Sequence, residues 1–391
     1  MTHPSPRPDV LVIGAGIVGA ACAYYCTAAG LRVAVVERGA IGSGTTSACE
    51  GNILVSDKEP GPELDLALLS SRLWQEIAED LGRSAIEYEA KGGVVVAGSR
   101  ETAEGLRHLT ARQRTAGVDA VDIGADELFE LEPNVTREAV GGAFYGQDAQ
   151  VQPTLAAARL LRRARLRGAT VHVGTGVTGF VRDKRGAVTG VRTDSADVPV
   201  LHARWVVNAA GTWAGQLSEL AGAPVPVLPR KGFVLVTEPL PRVVRHKVYT
   251  AEYVANVASS DAGLETSVVV EGTRGGTVLI GASRERVGFD RRMSLPVLRK
   301  LAAQAIGLFP FLADISLLRG YLGFRPYCPD HLPVIGPDPR APGLLHACGH
   351  EGAGIGLAGA TGHLLAQQLS GEKPDLDLTP FRPDRFEEAT P

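Results

Sequence analysis

The sequence predicts an α/β fold, and three observations predict it. A short apolar run, a glycine loop, a helix of small residues and a second apolar run open the chain. Two further small-residue turns, each set between an apolar run and a helix, recur at Asn208 and at Gly349. Between those two turns the chain changes to long strand-like runs with a hairpin signal. This is the pattern of a Rossmann-like nucleotide-binding domain cut into separated segments, with a sheet-rich domain set between them.

The opening unit carries the clearest mechanics. Asp9-Val10-Leu11-Val12-Ile13 leads directly into Gly14-Ala15-Gly16-Ile17-Val18-Gly19. Gly14 permits the tight turn, Gly16 lets backbone approach a pyrophosphate, and Gly19 lets helix and strand pack closely. The helix N-terminus presents free N–H groups and a positive dipole end to that pyrophosphate. The second strand ends on Glu37-Arg38, where the Glu37 carboxylate can accept both hydroxyls of an adenosine ribose. The stretch from Val10 to Leu31 is uncharged and long enough to span a bilayer. Its glycines, the break at the loop and the lack of a flanking basic cluster argue against a membrane span, and no basic n-region marks an export signal.

Composition sets the bounds. The chain has 391 residues, 45% hydrophobic and 21% charged, an ordinary balance for two or three globular domains. The net charge of −3 steers nothing toward nucleic acid. Cys22, Cys26, Cys49, Cys328 and Cys348 form no Cys-x-x-Cys pair, the usage of a reducing cytoplasm.

After Glu37, the loop with Gly44, Thr45, Thr46 and Ser47 offers close backbone to a large cofactor. Pro62–Leu81 is predicted as a helix, with Leu66, Leu69, Leu73, Ile77 and Leu81 on one stripe. Residues 87–99 read as strands about a Gly92-Gly93 turn, and 100–116 and 126–131 as helices. Gly141–Tyr145 reads as a strand. Residues 153–167 read as a helix with Pro153 in its first turn and Gly168 at its end. Its five arginines read as a solvated face. Strands are predicted at 170–173, 177–183, 187–193 and 205–208. Gly174-Thr175-Gly176-Val177 is a place for an adenine to meet backbone. Asn208-Ala209-Ala210-Gly211-Thr212-Trp213 is the second close-approach turn, with Ala210, Gly211 and Trp213 as cofactor candidates.

Pro224, Pro226 and Pro229 mark a domain crossing. Strands follow at 232–238, 265–273 and 277–282, the last two joined through Thr273-Arg274-Gly275-Gly276. Leu295–Leu308 is predicted as a helix, and 323–330 as a constrained turn. The strand at 344–347 leads into Gly349-His350-Glu351-Gly352-Ala353-Gly354-Ile355-Gly356, which opens the last helix. Gly349, Gly352, Gly354 and Ile355 cannot hold the same phosphates, so this turn faces another electron-rich part of a large ligand. An isoalloxazine fits, because reduced flavin carries negative charge that a helix N-terminus stabilises. His346, Cys348 and His350 straddle a strand end and a turn, so no metal site is expected. An NAD-dependent dehydrogenase would use the first turn and leave the other two idle.

Together these parts resemble the D-amino-acid oxidase-like family of FAD-dependent oxidoreductases, over roughly residues 10–371. That family includes glycine oxidase, sarcosine oxidase and D-amino-acid dehydrogenase. The marks are Gly14–Gly19 with Glu37, Gly44-Thr45-Thr46-Ser47, the Asn208–Trp213 turn, Gly323-Phe324-Arg325-Pro326 and Gly349-His350-Glu351-Gly352. Residues 50–58, 228–232 and 350–357 are similar to one branch, the β subunits of D-hydroxyproline dehydrogenase and opine oxidase, which work in complexes.

The resemblance implies FAD held without a covalent bond. The flavin-linking histidine of heterotetrameric sarcosine oxidase has no counterpart in Gln150-Val151-Gln152-Pro153, and Cys328 stands too late to be the cysteine of monomeric sarcosine oxidase. The substrate-binding tyrosine of glycine oxidase is absent from Val268-Val269-Val270-Glu271. The implied reaction is oxidation of the C–N bond of an amino or imino acid (a D-amino acid, hydroxyproline or proline, sarcosine or an opine) by hydride transfer to flavin N5. Arg325 is the implied carboxylate binder, and it and His350 are the catalytic candidates. An arginine that only braces the domain interface is the plain alternative. The expected setting is a heteromeric dehydrogenase with other redox subunits. A non-catalytic flavin-carrying or electron-relay subunit, and a stand-alone glycine or D-amino-acid oxidase, stay open as alternatives. Residues 1–85, 141–224 and 326–391 are expected to form the FAD-binding domain, and 86–140 and 225–325 the substrate-binding domain.

Overall fold

The structure, a computed structural model, describes residues 7–253 and 261–389. Six strands form one sheet in the order Val334–Pro337, Leu344–Cys348, Trp205–Asn208, Val10–Ile13, Val33–Glu37 and Thr170–Val173. Every neighbouring pair is parallel except the outermost, Val334–Pro337 on Leu344–Cys348. Val10, Leu11 and Val12 are fully covered, as a strand enclosed on both faces must be. The strand order reverses beside Val10–Ile13, and ligands bind at the carboxyl ends where such a sheet reverses. The first glycine turn leaves from that end.

Helices Ile17–Ala28, Pro62–Leu81, Pro153–Leu166 and Gly354–Ser370 share one core. The predicted stripe holds: Leu66, Leu69, Leu73 and Ile77 are buried and Leu81 is half-buried. Each such side chain contributes ~1.5–3 kcal/mol. The first and last of these helices touch backbone to backbone, since a Cβ added at Gly362 would stand 2.6 Å from the Ala21 carbonyl.

The second large sheet has eight strands, ordered Leu317–Tyr327, Leu228–Thr237, Val278–Arg284, Glu265–Gly272, Lys247–Thr250, Gly93–Ala97, Gly141–Tyr145 and Ala120–Gly124. It is antiparallel apart from the Lys247–Thr250 and Gly93–Ala97 pair. Helix Leu295–Leu308 packs on it through Leu301, Ala305 and Leu308 against Phe233, Val270 and Ile280. The predicted hairpin closes through Thr273, whose N–H donates to Thr277 at 2.9 Å.

Several expectations are corrected. The turn expected at 323–330 is mostly strand, because Leu317–Tyr327 runs through Arg325 and Pro326. Pro326 sits opposite Pro229, and its strand is the sheet's edge, where a missing N–H leaves no ladder bond unmade. Of the strands expected at 87–99, only Gly93–Ala97 forms, and Glu89 makes an isolated bridge to Gln150. Gly141–Tyr145, grouped with the flavin segments, pairs instead inside the eight-stranded sheet. Its glycines allow that approach: a Cβ at Gly142 would meet the Val95 carbonyl at 2.0 Å. Strands Ala120–Gly124, Lys247–Thr250 and Val334–Pro337 were not anticipated. Among the described residues, no helix is long and apolar enough to cross a membrane.

Candidate active site

The first turn is built as its sequence demands. Gly14 has φ +109°, and a Cβ there would stand 2.5 Å from the Ala209 carbonyl, so the first two small-residue turns meet at this point. A Cβ at Gly19 would stand 2.0 Å from the Gly14 carbonyl. Glu37 accepts from the N–H of Ala15 and of Gly39, each at 2.8 Å, which fixes its carboxylate at the strand end. Thr46 Oγ1 accepts from the Ile17 N–H at 3.0 Å. The cap residue of this helix, Gly16, offers no side chain to it, and neither does Ala353 at the last helix.

A cavity of about 540 Å³ joins the three turns. Gly14, Gly16, Ile17, Val18, Glu37 and Arg38 line one end, followed by Gly44, Thr45, Thr46, Val177, Ala210, Gly211 and Trp213. Arg325, His350, Gly352, Gly354 and Ile355 line the other end. Four candidates stand behind the wall. Ala15 acts through its N–H on Glu37, and Gly19 through helix packing. Ser47 is exposed and donates to the Gly44 carbonyl at 3.1 Å, while Gly349, at φ +74°, makes the turn. Arg38 lies 3.8 Å over the Trp213 ring, which stacks on Phe289. Asp194 holds the Gly176 N–H at 2.7 Å beside Val177.

At the far end the turns grip the eight-stranded sheet. Thr45 Oγ1 and Thr212 Oγ1 both donate to the Phe324 carbonyl, at 2.7 and 2.8 Å. The next residue is Arg325. Its Nη1 donates to the Ser283 carbonyl at 2.8 Å, and Gly232 makes room for it, since a Cβ there would stand 2.2 Å away. Among the described residues, no carboxylate lies within ion-pair distance of Arg325. A second cavity, of about 640 Å³, opens outward and shares Tyr253, Arg325, His350, Glu351 and Gly352 with the first.

His350 is buried and paired through Nε2 with Thr361 Oγ1 at 2.9 Å. That hydroxyl donates to the Leu357 carbonyl at 2.9 Å, so it accepts from Nε2–H and leaves Nδ1 as an acceptor. Burial pushes the imidazole down to about 3 and keeps it neutral. Glu351 adopts φ +47° and binds Arg230 and His331. Those partners hold its carboxyl below the usual range against the effect of burial.

Sequence reasoning passed over Glu50, Asn52 and Tyr253, which line the first cavity, and Arg284, which lines the second. Glu50 is buried, and among the described residues neither its Oε1 nor Asn52 Oδ1 has a hydrogen-bond partner. The one available signal was a lone acid in a run of small residues.

An FAD fits these residues. Two helix N-termini whose own cap residues offer no side chain, glycines where a Cβ would clash, a fixed carboxylate at Glu37 and acceptors unpartnered among the described residues all line one continuous space. Glu37 would hold the adenosine ribose, Gly14–Gly19 the pyrophosphate, and Gly352–Ile355 the ring.

Comparison with known proteins agrees. The chain is 32% identical to hydrogen cyanide synthase subunit HcnC of Pseudomonas aeruginosa, over 97% of this chain and 96% of that protein. It is also 32% identical to glycine oxidase of Geobacillus kaustophilus, with 97% of each covered. The crystal structure of a glycine oxidase from that organism superposes with a TM-score of 0.86 at 28% identity, over 97% of this chain and 99% of the other. L-proline dehydrogenase from P. horikoshii shares the fold, with a TM-score of 0.89 at 24% identity over 98% of both chains. A family model described as DAO, FAD dependent oxidoreductase, matches residues 9–368. The chain therefore belongs to the DAO family and is an FAD-dependent oxidoreductase.

Proposed function

We propose that the chain oxidises the C–N bond of a small amino or imino acid, as one subunit of a heteromeric dehydrogenase in the cytoplasm. The observation that carries this reading is Arg325. It lies where the two cavities meet, held by backbone and with no carboxylate within ion-pair distance among the described residues. An amino acid brings a carboxylate into a site that excludes water, and a guanidinium meets it with two parallel N–H groups. The FAD, when bound, supplies the two-electron oxidant. Arg325 orients the substrate by its carboxylate, and the shared wall at Gly352 keeps ring and substrate cavities continuous. Neutral His350 adds no competing positive charge beside that clamp. We assign residues 1–85, 141–224 and 326–391 to FAD binding, and 86–140 and 225–325 to substrate; the pairing of 141–145 with 93–97 supports moving that strand to the substrate side.

The relatives support an amino-acid substrate, since several are named glycine oxidases. The word subunit in the name of HcnC supports a complex, and five free thiols support a reducing compartment. The test is an anaerobic screen of proline, hydroxyproline, opines, glycine and D-amino acids for bleaching of the flavin band of the purified chain. Bleaching by one of these classes is expected. Bleaching only when other subunits are present would favour an electron-relay subunit.

A further inference from the structure

Glu50, Lys247 and Glu271 form a charged cluster that neither ribose, pyrophosphate nor carboxylate binding uses. They are 7%, 1% and 1% exposed. Lys247 Nζ lies 2.7 Å from Glu271 Oε2 and 3.7 Å from Glu50 Oε2. Asn52 Nδ2 donates to that same Glu50 oxygen at 3.3 Å. The other oxygen, Oε1, has no hydrogen-bond partner among the described residues, and Glu50 lines the flavin cavity. A Cβ at Gly281 would stand 2.7 Å from Oε1, so the glycine leaves this carboxylate its place.

Charge counting decides which group takes a proton. Within the cluster, two carboxylates and one ammonium leave one negative charge, which Arg325 answers only from beyond ion-pair distance. Lys247 gives its short contact to Glu271. Glu50 keeps the longer contact and the oxygen on the cavity side. Burial raises its pKa, and Lys247 only partly opposes this, while Glu271 adds to it. Arg325 also faces it and favours the ionised form. Among the described residues Cys49, Tyr253 and Tyr321 also face it, and burial keeps a proton on each.

We propose that Glu50 is the proton-coupled partner of the bound FAD. It stands ionised beside the oxidised cofactor and takes one proton from solvent when the cofactor is reduced. The added negative charge in the cavity is what raises its proton affinity, as one like charge does to another. For each two electrons gained from the reductant, one O–H bond forms at Glu50 and no bond in the protein breaks. The inference rests on FAD alone and stands whatever the substrate.

The test is the midpoint potential of the FAD holoprotein, measured from about pH 5 to 9 in wild type, Glu50→Gln and Glu50→Asp. In wild type, one segment of the curve should be steeper by one proton, a tenfold change in equilibrium per pH unit, or ~30 mV for a two-electron couple. Glu50→Gln leaves the Lys247–Glu271 pair neutral, keeps FAD and should lose the steep segment. Glu50→Asp keeps the acid and should keep the segment at a shifted pH, which settles the matter should the glutamine variant not fold. A single slope in wild type, or a steep segment that survives in Glu50→Gln, overturns the proposal.

Discussion

Arg230 Nη1 and Glu351 Oε1 form an ion pair that joins the eight-stranded sheet to the third glycine turn. Arg230 is fully covered and also holds Glu265 at 2.9 Å. Glu351 occupies the left-handed backbone region, a conformation that persists in a non-glycine residue only where its surroundings enforce it.

Arg230→Met should therefore destabilise the protein by ~3–5 kcal/mol, because two carboxylates then lose their buried counter-charge. A lower thermal midpoint and weaker FAD retention are expected. An unchanged midpoint would remove the pair from any structural role.

Arg325→Lys keeps the charge and loses the fork. The variant should fold and hold FAD, with KM raised about 10-fold or more, at least ~1.4 kcal/mol. Steady-state kinetics on whichever substrate bleaches the flavin checks this. An unchanged KM in a normally flavinated variant sinks the assignment.

Glu37→Gln removes a charged acceptor from the ribose position. A hydrogen bond to a charged group is worth ~1.5–3 kcal/mol, so the Kd of the apoprotein for FAD should rise about 10- to 100-fold. Fluorescence titration of apoprotein with FAD reads this directly. FAD affinity equal to wild type would move the ribose elsewhere.

Acid precipitation of the yellow protein should release its flavin to the supernatant. Colour retained in the pellet would show a covalent bond, and the two cysteines in the cavity wall, Cys49 and Cys348, would be the first residues to map.

Purification from the native source should bring down other redox subunits with this chain. A sole, fully active homomer with fast oxygen turnover would make it a simple oxidase.

The sequence made the first turn legible because strand, glycines, helix and Glu37 are neighbours in the chain, and each has one mechanical reason to be there. The Leu317–Tyr327 strand was hidden by its composition. Glycines and prolines around Arg325 read as a turn, and only the pairing of Pro326 with Pro229 shows why a sheet edge accepts them. Lys247–Thr250 was hidden because a strand that opens on a lysine does not read as core. Its charge is answered by Glu271 on the neighbouring strand and by Glu50 from the far end of the sequence. A contact of that kind belongs to the tertiary fold and leaves no local pattern. Ser47 shows the converse: it belongs to the right loop, and its side chain points to solvent.

The close crossing of Gly362 on Ala21 has a mechanical consequence. At that point the helices that start at the first and third turns meet main chain to main chain, with no room for a Cβ at Gly362. Their N-termini are the two jaws of a rigid caliper, set to one span. A flavin mononucleotide carries the ring and one phosphate and would leave the Glu37 end of the cavity empty, whereas a dinucleotide fills that end as well. The choice between the two flavins thus falls to the Glu37 end, and a methyl group at Gly362 would drive the two helices apart and shift the turns they carry.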